Sequence, residues 1–155
     1  MRYETFITCT PVGRLEIILD DQKIKAINLN SDKPLSAPSS NLGQKITEQL
    51  DSYFKSSNFE FDLPLILKGT EHQQKVWQAL KEIPAGQVLT YGALAKKIGS
   101  SARAIGNACR NNPIPIVVPC HRIVAAKDIG GFSGAQEGVL LNIKRELLGH
   151  EGLSF

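Results

Sequence analysis

The sequence predicts a mixed α+β protein in two parts, and three observations carry that expectation. Short β-prone runs separated by turn signals fill the first thirty residues. From Gly69 onward the apolar residues recur at helical spacing, and the excess positive charge is confined to the same later stretch. A chain of 155 residues that is 42% hydrophobic and 21% charged can bury a core as one soluble domain or as two small ones.

The elements follow in order. Tyr3 to Ile7, Leu15 to Leu19 and Ile24 to Leu29 are expected to be three antiparallel strands, broken by Pro11-Val12-Gly13 and by Asp20-Asp21-Gln22. Residues 31–43, rich in Ser and Pro, are expected to be a loop. Ile46, Leu50, Tyr53 and Phe54 then mark a helix that ends near Ser56-Ser57, and the alternation of Phe59, Phe61, Leu63 and Leu65 predicts an edge strand. The domains are therefore 1–68 and 69–155.

In the second part Thr70 and Gln73 fit a capping box ahead of a helix carrying Val76, Trp77, Leu80 and Ile83, which Pro84-Ala85-Gly86 stops. Thr90 caps a second helix with Leu94, Ala95 and Ile98 buried and Gly99 at its end; Ser100 and Ser101 start a third, Ala102 to Arg110. Two short helices joined by a Gly-Ser-Ser turn have the outline of a helix-turn-helix. The third helix is unusually rich in small residues (Ala102, Ala104, Gly106, Ala108, Cys109), with Arg103 and Arg110 at its ends. Such a face suits tight packing on another helix or close approach to a nucleic-acid groove.

Charge is segregated. Residues 1–74 carry 8 Lys+Arg against 10 Asp+Glu, and residues 75–145 carry 10 against 3, so the modest net +3 conceals a basic stretch fit for a polyanion. No run is long and apolar enough to span a membrane and no export segment is visible, so a cytoplasmic location is expected. Three cysteines without a CxxC pair argue against a disulfide framework, and Cys120, His121, His72 and His150 have no metal-ligand spacing, so neither a metal nor a cofactor is expected.

Cys9 and Cys109 read as small apolar residues. Cys120 differs. The run Pro113 to Pro119 holds three prolines and four β-branched residues and is expected to be extended, delivering Cys120-His121-Arg122. A thiol beside an imidazole and cations is the arrangement that yields a nucleophilic thiolate. Consecutive side chains of an extended chain point apart, so a tight turn after Pro119 or a bridging water is needed to join Cys120 to His121. Asp128, Glu137, Glu146 and Glu151 are the downstream acids available to orient His121.

The run Asn112 to Ile123, with Gly69-Thr70, Val76-Trp77, Ile83-Pro84 and Thr90-Tyr91 upstream and Gly131-Phe132-Ser133-Gly134 and Lys144-Arg145 downstream, resembles the O6-alkylguanine-DNA alkyltransferases. The resemblance is strong over 69–152 and extends in layout to the Thr10 to Leu15 turn. It implies a ribonuclease H-like N-terminal part and a winged-helix-like C-terminal part. It also implies irreversible transfer of an alkyl group from O6 of guanine, with O4-alkylthymine a further candidate, in duplex DNA to a cysteine, by a monomer without cofactor. Carried over, Cys120 is the acceptor, His121 deprotonates it through a water, Glu151 orients His121, and Asn112 orders the surrounding turn. Arg103 fills the gap left by the rotated nucleotide, Tyr91 presses on a phosphate, and Thr90, Ala104 and Arg110 join them on the minor groove. Tyr91, Val118, Ile123, Phe132 and Ser133 form the base pocket.

Three departures bear on these roles. The Gly99 to Arg103 turn is about two residues shorter than usual in that family, which is expected to change the aim of Arg103; His72 stands where Phe is usual; and the 133–144 stretch is longer, which is expected to alter which alkyl groups fit. Rival readings are a base-flipping damage sensor, which would lack Cys120, a helix-turn-helix regulator, which would carry larger base-reading side chains, and a Cys-His hydrolase, which would need an oxyanion site.

Overall fold

The computed structural model describes residues 3–135 and 137–155; Met1, Arg2 and Gln136, the last within the 133–144 stretch, lie outside the described residues. The chain divides into a unit from Met1 to Leu67 and a unit from Lys68 to Phe155.

The first unit is a three-stranded antiparallel sheet with one helix. Strands β1 (Tyr3–Thr10), β2 (Gly13–Asp20) and β3 (Lys23–Asn28) pair in sequence order. Leu15, Ile17 and Leu19 alternate along β2 and are buried, as a half-buried strand requires. The β2–β3 hairpin turns at Asp21 and Gln22, both with positive φ, the backbone sign that matches the twist of paired strands. Helix α1 (Asn41–Lys55) starts at Ser40, whose side chain accepts from the Gly43 N–H, and buries Ile46, Leu50 and Tyr53.

Residues 59–65 correct the expectation of an edge strand. This segment meets the sheet at one point, where the Ile24 N–H donates to the Pro64 carbonyl (2.9 Å) and the Ile66 N–H to the Ile24 carbonyl (2.8 Å). Both main-chain groups of Asp62 are taken by the Gln49 side-chain amide, at 2.9 and 3.0 Å, so they are not offered to a ladder. The alternating aromatics instead stack on one another and on α1: Phe59 on Phe61, and Phe61 on Tyr53.

The second unit contains α2 (Glu71–Lys81), the two-residue strand β4 (Leu89–Thr90), α3 (Tyr91–Ile98), α4 (Ala102–Arg110), β5 (Ile123–Val124) and α5 (Val139–His150). Thr70 and Gln73 form the full capping box on α2. Thr90 and Ser101 cap α3 and α4 by accepting from Ala93 and Ala104 N–H. Gly99 ends α3 with φ of 71°, a left-handed conformation that glycine adopts without a Cβ clash. Strands β4 and β5 pair in parallel, bringing the start of α3 beside the segment that follows Cys120.

Two further features depart from the sequence reading. Residues 113–119 do not run extended throughout: Val118 N–H returns to the Ile114 carbonyl (2.9 Å) around Ile116, whose φ is 75°. Helix α5 lies where no element was expected, because Lys144 interrupts an otherwise apolar stripe of Leu141, Leu147 and Leu148.

Trp77 of α2 is buried and donates its indole N–H to the Ala108 carbonyl of α4 at 2.9 Å. Trp77→Phe takes the indole donor from that carbonyl, which keeps only the 3.2 Å bond from the Asn111 N–H, and leaves the space of the larger ring unfilled, so stability should fall by about 1–3 kcal/mol in urea unfolding.

Candidate active site

The site is built on a single 3₁₀ turn, Cys120 to Arg122, that follows Pro119. At three residues per turn, successive side chains leave the axis about 120° apart. This tight turn lets His121 and Arg122 converge on one acid while Cys120 lines the cleft. His121 Nε2 meets Glu151 Oε2 at 2.8 Å; Arg122 Nε donates to Oε1 at 2.9 Å and its terminal nitrogen to Oε2 at 3.0 Å. Gly86 N–H also donates to Glu151, and the remaining Arg122 nitrogen reaches the Ile83 carbonyl at 2.6 Å. Of the four acids downstream of His121, it is Glu151, at the C-terminal cap of α5, that His121 meets, while Asp128 accepts from the Gly130 N–H.

Cys120 is 4% exposed. Burial pushes its thiol pKa up to about 11, opposed by a hydrogen bond from Asn112 and by the charge of Lys144. Asn112 also staples the preceding turn: its amide donates to the Val118 carbonyl at 2.8 Å and accepts from Ile114 N–H at 3.0 Å. Full burial lowers the pKa of His121 against the opposing pull of Glu151, so the ring is neutral at pH 7. A neutral ring beside a carboxylate donates Nε2–H to it, which leaves Nδ1 as the basic nitrogen. His121 Nδ1 is the buried side-chain nitrogen without a hydrogen-bond partner among the described residues.

A cleft of about 980 Å³ opens onto Cys120. Its walls include Tyr91, the small face and arginines of α4 (Arg103, Ala104, Cys109, Arg110) and the 130–134 segment with Phe132 and Ser133. Tyr91 donates to the Gly131 carbonyl at 3.4 Å, and burial together with the nearby thiols pushes its pKa up to about 12. Gly130 is required here: a Cβ would lie 3.0 Å from the Tyr91 ring, at a φ of 72°. Val118 and Ile123, expected in the pocket wall, are fully buried and are not among the described residues that line the cleft. Thr90 is not among them either; its hydroxyl is committed to capping α3.

The sequence reading missed the role of Lys144. Its side chain is 0% exposed, and its ammonium donates to the carbonyls of Ile123, Ile129 and Gly131 at 2.6, 2.6 and 2.8 Å. Burial brings its pKa down to about 8, so it carries charge at neutral pH and acts on both Cys120 and Cys109. A cation in the middle of an apolar helical stripe was the available signal. Lys144 and Arg122 are also two of the ten cations of residues 75–145, so part of that stretch's positive charge is internal.

A buried thiol in the same 3₁₀ turn as a neutral imidazole, opening on a cleft walled by a short helix with exposed arginines, defines a cysteine nucleophile coupled to a helix-turn-helix unit. Residues 71–153 match the family described as 6-O-methylguanine DNA methyltransferase, DNA binding domain, and residues 1–67 its ribonuclease-like domain. A methylated-DNA--protein-cysteine methyltransferase of Methanosarcina acetivorans is 39% identical over 92% of this chain and 94% of its own. The constitutive one of Bacillus subtilis is 36% identical over 88% and 92%. The crystal structure of the Mycobacterium tuberculosis O6-methylguanine methyltransferase superposes with a TM-score of 0.83 at 32% identity, over 97% of this chain and 93% of that one. The same organism's protein in complex with DNA gives 0.80 at 34%, over 96% and 92%. The chain belongs to the 6-O-methylguanine DNA methyltransferase family.

Two outcomes are expected. Glu151→Gln leaves the buried Arg122 guanidinium without its counter-charge and should lower stability by about 3–5 kcal/mol in denaturant unfolding. The folded pKa of His121 lies below its ordinary 6.5, so as pH falls the unfolded chain takes up that proton first and stability drops below about pH 6.5. In His121→Gln this decline should be shallower when unfolding is followed from pH 7.5 to 5.

Proposed function

We propose that the protein repairs DNA by direct reversal, moving the alkyl group from O6 of an alkylated guanine in duplex DNA to Cys120 Sγ in one irreversible turnover. The observation that carries this reading is the pairing of a buried Cys120 with a neutral His121 whose Nε2 is held by Glu151 and whose basic Nδ1 is unpartnered. Family membership supplies the substrate class.

A thiol with a pKa near 11 is about one part in ten thousand thiolate at pH 7, so the resting thiol is almost wholly protonated. Transfer begins when the proton leaves Sγ, relayed by solvent to His121 Nδ1, and Glu151 stabilises the imidazolium that results. A sulfur lone pair forms the S–C bond, the C–O6 bond breaks, and its electron pair passes into the guanine. The base takes up a proton at N1 from solvent and is restored, the imidazolium returns its proton to solvent, and the thioether remains on the protein. Tyr91, whose raised pKa keeps it protonated, donates a hydrogen bond to the departing base rather than giving up its proton outright.

The alkylated carbon lies inside the base stack, so the nucleotide must rotate out at a cost of a few kcal/mol. The small face of α4 enters the minor groove, Arg103 occupies the gap left in the stack, and Ala104 and Arg110 lie along the same wall of the cleft. Phosphate contacts dominate binding, which is therefore weak in sequence preference and sensitive to salt.

Incubation with a duplex carrying O6-methylguanine should add one methyl mass per protein, located on the Cys120 peptide. Cys120→Ala should abolish transfer and keep DNA binding. An unshifted intact mass, or a methyl group on Cys9 or Cys109, would contradict the proposal.

A further inference from the structure

We infer that His72 is a positioning residue for the DNA-facing helix: by bonding Ser100 it ties the α3–α4 turn to α2 and so sets the aim of Arg103. The inference rests on the alkyl-transfer reading above, in which Arg103 acts in base rotation.

The turn has three residues and each is committed. Gly99 is left-handed and closes α3, its N–H bonded to the Ala95 carbonyl. Ser100 donates its N–H to that same carbonyl at 2.8 Å, and its hydroxyl shares a 2.7 Å hydrogen bond with His72 Nε2. Ser101 spends its hydroxyl on the Ala104 N–H as the cap of α4. A connection this short has no slack to absorb a tilt of α4, so the direction of the helix follows directly from where Ser100 is held.

Besides the packing of Ile105 and its neighbours, two side-chain hydrogen bonds tie α2 to this assembly. Trp77 grips the far end of α4 through the Ala108 carbonyl, and His72 grips the near end through Ser100. Nine residues of helix extend about 13 Å, so two separated anchors resist a rocking motion that one would permit. Arg103 is the second residue of α4, three positions after the anchored Ser100, whereas Cys109 directly follows Ala108, which Trp77 holds. Loss of the His72 bond therefore loosens the end that carries Arg103 and leaves the Cys109 end held. His72 is not among the described residues that line the cleft, so it acts on the reaction only through α4.

The test is a double-mutant cycle in single-turnover transfer from an O6-methylguanine duplex at subsaturating protein, with each variant's fold checked by thermal melting. His72→Ala should slow transfer about threefold to tenfold, the range that the loss of one hydrogen bond commands, and His72→Gln, which can still reach the hydroxyl, should restore most of the rate. In an Arg103→Ala background the same His72→Ala change should cost less than about twofold, because its effect is carried by Arg103. Equal losses in both backgrounds, or an unchanged rate in folded His72→Ala, overturn the role given to His72 and leave the transferase reading standing. If Arg103→Ala transfers at the wild-type rate, the base-rotation role of Arg103 fails as well. Should His72→Ala not fold, Ser100→Ala removes the same bond from its other side and is scored by the same criteria.

Discussion

The carboxylate of Glu151 is the constraint on which the reactive end of the molecule depends. It is buried and it faces two groups that are neighbours in sequence, His121 and Arg122. Isolated, such a carboxylate would face a desolvation penalty of several kcal/mol, and so would the guanidinium. Together they satisfy one another: two bonds from Arg122, one from His121 and one from the Gly86 main chain reach the acid, while the third Arg122 nitrogen donates to the Ile83 carbonyl. The 3₁₀ turn is what makes this convergence possible, since an extended Cys-His-Arg run would send His121 and Arg122 to opposite sides. Closing α5 on Glu151 thus fixes the tautomer of a ring whose residue lies 30 positions earlier.

The electrostatics around Cys120 balance two demands. Burial disfavours the thiolate, and Asn112 with Lys144 opposes this only in part, so the thiol stays protonated at neutral pH. For a protein that spends its nucleophile once, an indiscriminately reactive thiol would be lost to any small electrophile. Holding the charge back until a base is at hand confines the chemistry to the cleft. Tyr91 follows the same logic, its phenol kept neutral by burial and by the two thiols beside it.

Much of this was legible in the sequence, because the signals were local. Caps at Thr70, Thr90 and Ser101 and the stop at Gly99 are written in single residues and in short spacings. What the sequence did not convey involved long-range partners. The alternation at 59–65 is real, but its main chain is claimed by Gln49 and its aromatics by Tyr53. The choice of Glu151 over three other acids depends on where α5 ends. Val118 and Ile123 flank the reactive turn in sequence, yet they point into the core. Helix α5 went unrecognised because its defining residue, Lys144, is a cation in an apolar stripe, which reads as surface until its three carbonyl partners are known.

Those three partners share one property: all are main-chain oxygens, at Ile123, Ile129 and Gly131. An ammonium that grips only the backbone is indifferent to the side chains it passes. The path of the segment forming one wall of the cleft is thus held separately from its composition. Ala125 and Ser133 line the cleft without contributing a side chain to that grip, so the course of the wall does not rest on them. A rigid tether of this kind is what would let a lineage retune the shape of its pocket by single substitutions, without refolding the loop each time.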